Sequence, residues 1–141
     1  VKKFPDQIVG VKDSSYNLYE SLEIENFSVL PGSELKLIKG LELGCTGIIT
    51  ATCNVTAPLA RKVYDDFLNK NNQTKNEKLC NVRKAFDQFD LISGLHSFLA
   101  QENKIYENIL PPLSLLDLSD KRKLIEDLAK LGFNLKESNA A

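Results

Sequence analysis

The chain has 141 residues, 18 basic and 19 acidic side chains for a formal charge of -1, with 43% hydrophobic and 26% charged residues. These are the proportions of one globular domain with a single sizeable core. The balanced charge leaves no basic footprint for nucleic acid or an anionic membrane surface, and no apolar run nears the roughly 18–20 residues of a bilayer span.

Ile8-Val9-Gly10-Val11 is apolar and β-branched ahead of the polar Lys12-Asp13-Ser14-Ser15, which predicts a buried strand and then a turn. A short amphipathic stretch follows, with Leu18, Tyr19 and Leu22 on one face. Phe27-Ser28-Val29-Leu30 predicts a second strand, stopped by Pro31-Gly32. Ser33 is suited to cap a helix through Leu35, Ile38 and Leu41, with Gly44 as the residue past its end. Gly47-Ile48-Ile49-Thr50-Ala51 predicts a third strand. Thr56 is then expected to cap a helix that carries Pro58 in its first turn and buries Leu59, Ala60, Val63, Tyr64, Phe67 and Leu68.

Beyond the polar break at 69–76 the pattern is helical throughout. Leu79, Val82, Phe86, Phe89, Ser93, His96 and Leu99 recur at three- and four-residue steps, predicting one long helix as far as Ala100. Pro111-Pro112 ends any helix between. Ser119 is expected to cap a last helix through Leu124, Ile125, Leu128 and Leu131, closed by Gly132.

Alternating strands and helices predict parallel strands joined by right-handed crossovers, and strands apolar on both faces predict a sheet covered on both sides. Three such strands cannot close a barrel, and alone they leave two unpaired edges. Either the chain is a small open sheet or its other half lies elsewhere.

The three cysteines, Cys45, Cys53 and Cys80, are odd in number and lack CxxC spacing, so they read as small core residues rather than a disulfide framework. With His96 as the one histidine, a Cys/His zinc site is not expected. Asn26, Asn54 and Asn72 open N-x-S/T tripeptides, but Val-Lys-Lys-Phe-Pro-Asp has no signal-peptide character, so they read as chance matches in a cytosolic protein. The chain has no methionine, which suggests a piece of something larger.

In parallel α/β folds, chemistry gathers at the C-terminal ends of the strands. The first strand delivers Lys12 there, the second Gly32, Ser33 and Glu34, and the third Thr50 to Asn54. Lys12 has two readings. It is a strand-end lysine that snorkels to solvent, or a lysine enclosed in an apolar barrel mouth. Desolvation there favours a neutral amine, which attacks a carbonyl to form an electron-withdrawing imine.

Ile8 to Ser15 resembles the sixth-strand motif of the dihydrodipicolinate synthase/N-acetylneuraminate lyase family, whose lysine forms a Schiff base with pyruvate. Phe27 to Glu34 is similar to the seventh strand and its glycine turn, and Leu43 to Val55 to the eighth strand. The helical remainder is similar to the helices that follow the barrel. The resemblance implies an α/β fold forming the C-terminal part of a TIM (β/α)8 barrel, strands six to eight plus C-terminal helices. Residues 1–70 would be the last three βα units and 71–141 the C-terminal helical extension. A whole barrel of this kind takes roughly 250 residues before insertions, so the resemblance implies a fragment or one half of a split enzyme. Such a piece is expected to be inactive alone, because the second-strand carboxylate-binding loop and the fifth-strand proton-relaying tyrosine lie in the other half.

The resemblance makes Lys12 the imine-forming nucleophile and puts the backbone of Gly32 and Ile49 in the pyruvate pocket. Ser33, Glu34 and Ala51 match positions that meet the second substrate. Asp13 reads as structural, Thr50, Thr52 and Asn54 as packing residues with orientation of the eighth-strand loop as the alternative, and His96 as packed or interfacial. Ala51 stands where sialic-acid lyases tend to carry serine, and Ser33 where they carry aspartate. Both departures favour a 4-hydroxy-tetrahydrodipicolinate synthase-like activity in lysine biosynthesis. A 2-keto-3-deoxy-sugar-acid aldolase or an N-acetylneuraminate lyase is the alternative, and a non-catalytic half-barrel interaction module or open-sheet domain is the reading from another class. The implied partners are pyruvate, an aldehyde and the missing barrel half, in a homotetramer, with no metal or organic cofactor, nucleic acid or membrane.

Overall fold

The computed structural model describes residues 1–138; the last three residues of the predicted helical extension lie outside the described residues. Strands β1 (Gly10–Asp13) and β2 (Ser28–Pro31) pair in parallel, from Gly10 opposite Ser28 to Asp13 opposite Pro31. Parallel pairing is as the alternating pattern predicts. Both strands begin later than predicted, and the main chain shows why. The Ile8 amide is taken by the Phe4 carbonyl in a turn (2.9 Å), so pairing starts only where Ser28 N donates to Val9 O (2.9 Å).

The expectation of a sheet covered on both faces is corrected. Successive side chains of a strand point to opposite faces. Asp13, Val29 and Pro31 face inward and are buried, whereas Lys12 on the other face is exposed, as are Ile8 and Val9 just before it. The third predicted strand is also corrected. Residues 47–51 run extended beside β2 but form no regular strand, because one backbone bond, Ile49 N to Pro31 O (3.1 Å), is all that joins them to it. A strand needs a repeating ladder.

A 3-10 turn (Glu34–Lys36) leads into α1 (Leu37–Glu42), and Ser33 opens that turn by accepting from Leu35 N (3.3 Å). Gly44 follows α1 at φ +88°, the left-handed position its residue type suits. Helix α2 (Cys53–Leu68) begins before Thr56, since the amides of Val55 and Thr56 already bond to Thr52 O (2.8 and 2.9 Å). Thr56 is therefore not the cap; its side chain is buried inside the helix.

The predicted long helix is two helices, α3 (Asn76–Phe86) and α4 (Leu91–Leu99). Asp90 breaks it by capping α4, its Oδ1 accepting from Ser93 N (2.9 Å) and Ser93 Oγ (2.8 Å). The apolar period survives the break because both helices feed one core. Helix α5 (Leu118–Lys130) is capped by Asp117, which accepts from Asp120 N (2.8 Å), and not by Ser119; Gly132 closes it at φ +62°. A short α6 (Leu135–Ser138) packs against α2.

Two apolar clusters organise the chain. Leu37, Leu41, Ala60, Val63 and Leu79 join α1, α2 and α3. Val55, Val82, Phe86, Leu95, Phe98, Leu124 and Leu128 join α2 to α5, with Phe86 edge-to-face on Phe98 (centroids 5.7 Å apart). Helices α2 and α3 belong to both clusters and so tie the strand-bearing part to the tail. No helix among the described residues is long and apolar enough to cross a membrane.

Candidate functional site

The turn after β1 is built on Asp13. Its Oδ1 accepts from the amides of Ser15 (3.0 Å) and Tyr16 (2.8 Å), and its Oδ2 from Leu18 (2.7 Å). The Tyr16 amide, ahead of burial and helped by Leu18 and Ser15, holds the Asp13 carboxyl below the usual carboxylate range. This is the structural role expected of Asp13, and it sets the strand end that carries Lys12.

Lys12 is exposed and its Nζ donates to Ser14 Oγ at 2.5 Å. Gly32 closes on the same place from β2: its amide donates to Asp13 O (2.7 Å), and a Cβ there would lie 3.0 Å from both Cα and Oγ of Ser14. The close approach, and not φ, favours glycine here, since an added Cβ would push Ser14 aside by a few tenths of an ångström. Ile49, hydrogen-bonded to Pro31 O, presents a half-exposed side chain beside β2. Lys12 and Gly32 thus meet at Ser14 at the C-terminal end of the two strands, and Ile49 lies on the far side of β2 from β1.

The other three expected site residues go elsewhere. The Ser33 hydroxyl caps the 3-10 turn. Ala51 packs against the tail core and lines a cavity of about 230 Å³ with Asn54, Leu95, His96, Leu99 and Tyr106. In that cavity His96 Nδ1 meets the Tyr106 carbonyl at 2.8 Å; a carbonyl only accepts, so Nδ1 carries the hydrogen. Glu34 turns inward and is fully buried, out of reach of any ligand at the strand end.

Glu34 is the hub of a polar network that no sequence motif announces. Its Oε1 accepts from the hydroxyls of Thr50 (2.7 Å), Thr52 (2.5 Å) and Thr56 (2.9 Å), and its Oε2 from Arg83 Nη1 (3.1 Å). Burial alone would raise the Glu34 pKa, but the bonds from Thr52, Thr50 and Thr56 outweigh it and leave the carboxyl below its ordinary value. Arg83 Nη1 also reaches Thr52 Oγ1 (3.3 Å), while its Nε is held by Asp87 (2.8 Å). One signal did exist in the sequence. Arg83 stands between Leu79, Val82 and Phe86 on the buried face of α3, where a cation requires an anion.

The cysteines do not add a nucleophile. Burial pushes the thiols of Cys45, Cys53 and Cys80 up, which keeps them protonated, and all three are free. Among the described residues no group of His, Cys, Asp and Glu side chains converges as a metal-ligand set.

Asp13 and Glu34 carry a pH dependence. Both are lowered in the fold relative to unfolded values of about 3.9 and about 4.3. The unfolded chain therefore binds more protons in mild acid, so their contribution is complete above those values and disappears as pH falls toward the lowered folded ones. Urea midpoints are expected to stay level from about pH 7 to about pH 5.5 and then drop below about pH 4.5. In Asp13→Asn the acid drop is expected to be shallower; an unchanged profile would remove Asp13 from this account.

A model of the dihydrodipicolinate synthetase family matches residues 3–131 of the chain. An uncharacterized DapA-like lyase from Halobacterium salinarum is 29% identical over 134 residues, which is 90% of this chain but 44% of the relative. The chain thus spans less than half the length of that curated relative. Dihydrodipicolinate synthase from Agrobacterium tumefaciens str. C58 superposes with a TM-score of 0.75 at 22% identity, covering 92% of this chain and 45% of that one. A prophage protein of the dihydrodipicolinic acid synthase family from E. coli K12, solved with pyruvate, superposes at 0.76 with 21% identity, covering 89% and 47%. The fold is consistent with a part of the (β/α)8 barrel of these proteins.

Proposed function

The chain belongs to the dihydrodipicolinate synthetase family, and from that premise we propose that Lys12 is the imine-forming lysine of a carbon–carbon lyase that joins pyruvate to an aldehyde or releases it. The observation that carries this is the strand-end cluster: the Lys12 amine on Ser14 Oγ at 2.5 Å, with the Gly32 backbone closed against Ser14.

Lys12 is exposed in this chain, and the chemistry is proposed for an amine that the remaining strands of a complete barrel enclose. The neutral amine attacks the ketone carbon of pyruvate, and the carbinolamine loses water to give an imine. The imine draws electrons from the neighbouring methyl carbon, whose proton leaves to form an enamine. The enamine carbon attacks the aldehyde, and hydrolysis of the new imine returns the free lysine. Ser14 Oγ holds Nζ at the strand end, and the backbone of Gly32 and Ile49 borders the place where pyruvate sits. Holding the reactants in this way is worth several powers of ten in rate. No metal or organic cofactor enters the scheme.

Ala51, which the resemblance sets against the second substrate, offers a methyl group where a polyol would need a hydroxyl. This supports a 4-hydroxy-tetrahydrodipicolinate synthase-like reaction in lysine biosynthesis. The resemblance assigns pyruvate carboxylate binding and proton relay to strands other than those matched here. Activity is accordingly proposed for a complete barrel, with residues 1–70 contributing its last three βα units and the tail helices serving a cytoplasmic homotetramer.

The test is reductive trapping. The chain, alone and joined to its complementary strands, is incubated with pyruvate and borohydride, digested and read by mass spectrometry. A reduced pyruvate adduct is expected on the Lys12 peptide, absent in Lys12→Arg and absent from Lys2, Lys3 and Lys36. An adduct elsewhere, or none in the completed barrel, would remove Lys12 from this role and favour a non-catalytic interaction module.

A further inference from the structure

One backbone bond, Ile49 N to Pro31 O, joins the segment 47–51 to β2. A single bond does not hold an extended segment in place. Side chains add the rest: Ile48 and Ala51 pack on the two apolar clusters, and the hydroxyls of Thr50 and Thr52, either side of Ala51, both donate to Glu34 Oε1. Thr50 Oγ1 in turn accepts from Cys53 N (3.1 Å), coupling the segment to the first turn of α2. Glu34 follows Gly32 and Ser33 directly, so one carboxylate fixes both the glycine turn and the neighbouring segment.

That carboxylate is wholly buried and needs a compensating cation. Arg83 is the cation it has, brought in from the helical tail across 49 residues of sequence, and it is itself anchored by Asp87. Without Arg83, Glu34 has two courses. It can take up a proton on Oε2, the oxygen Arg83 leaves, which removes the negative charge and weakens Oε1 as the acceptor of the three hydroxyls, or it can swing toward water and break those bonds. Either course loosens the hold on Thr50 and Thr52.

We propose that Arg83 is a positioning residue for the reaction at Lys12, acting through Glu34 to hold the Gly32 turn beside the amine and the Ile49 segment along β2. This rests on the reading of Lys12 given above. It makes the tail helix α3 part of the reaction's geometry, and not only a cover for the core.

The experiment uses the full chain and its completed barrel with Arg83→Met, Arg83→Lys and Thr52→Val. Hydrogen exchange followed by mass spectrometry reads the peptides over 32–36 and 46–52, with α5 as an internal reference. In Arg83→Met, exchange over 46–52 is expected to speed up about tenfold, the factor carried by one charge-assisted hydrogen bond, while α5 is unchanged. Arg83→Lys restores part of the protection, since an ammonium pairs with Glu34 but cannot bridge Thr52 and Asp87 together. Thr52→Val, which leaves the buried charge pair whole, gives the same local loosening if Arg83→Met fails to fold. In the trapping assay, Arg83→Met is expected to need about tenfold more pyruvate for half-maximal adduct, with the maximal yield kept. Uniform acceleration that includes α5 would reduce Arg83 to a stability residue and overturn the proposal. So would local loosening with an unchanged pyruvate requirement. Absence of any wild-type adduct would instead overturn the Lys12 reading, and exchange over 46–52 would then decide by itself whether Arg83 holds the segment.

Discussion

Glu34→Leu is expected to lose about 3–5 kcal/mol of unfolding free energy, because it leaves Arg83 and three hydroxyls without their common acceptor. The loss should fall toward the lower end of that range. The Arg83 side chain keeps 12% exposure and its bond to Asp87, so it retains a partial route to water. Two further variants separate charge from shape. Glu34→Gln keeps a carbonyl oxygen for the hydroxyls and should cost less. Glu34→Leu combined with Arg83→Leu removes both charges, and should cost less than the sum of the two single changes, since neither charge is then left stranded. Urea unfolding of the wild type, Glu34→Leu, Arg83→Leu, the double variant and Glu34→Gln is the measurement. Strict additivity would mean that Glu34 and Arg83 are not coupled.

Phe86→Ala is expected to cost a similar amount, about 3–5 kcal/mol, by a different mechanism. Phe86 is fully buried where α3, α4 and α5 meet, edge-to-face with Phe98. A Cβ placed on Gly94 would lie 3.5 Å from its ring, so α4 approaches that ring closely. Removing the ring opens a void that close-packed neighbours cannot fill. Domains of this size have total stabilities of roughly 5–15 kcal/mol, so the variant should sit near its unfolding transition at ordinary temperature. Leu118→Ala is the control. That side chain is 84% exposed, and its truncation should stay within about 0.5 kcal/mol. A Phe86→Ala protein as stable as the control would mean that the tail core is not organised around this ring.

Local chemistry was legible wherever one residue type answers one local need. Pro31-Gly32 ends β2, Ser33 accepts the Leu35 amide, and Gly44 and Gly132 take the left-handed positions after their helices. Lys12 lies near the end of β1 as its motif indicates. The misses share a cause. Thr56 and Ser119 are good caps by type, yet Thr52 begins α2 and Asp117 caps α5. Several candidates stood within a few residues, and backbone bonding chose among them. The apolar period through Phe86, Phe89 and His96 does not register that Asp90 stops one helix and starts another.

The sequence by itself determined the family, the parallel pairing of the first two strands, and the residue types that meet at their end. It did so because those features rest on short-range patterns: β-branched runs, a glycine turn, a lysine after an apolar strand. Only the tertiary structure decided that the third segment is held by side chains in place of a ladder, and that Glu34 faces the interior. Arg83, which bonds that carboxylate, is distant in the chain and adjacent in space. A carboxylate at a strand end is equally suited to a ligand and to a buried cation. Which of the two it meets is set by the packing of α3 against the sheet, and no local pattern encodes that.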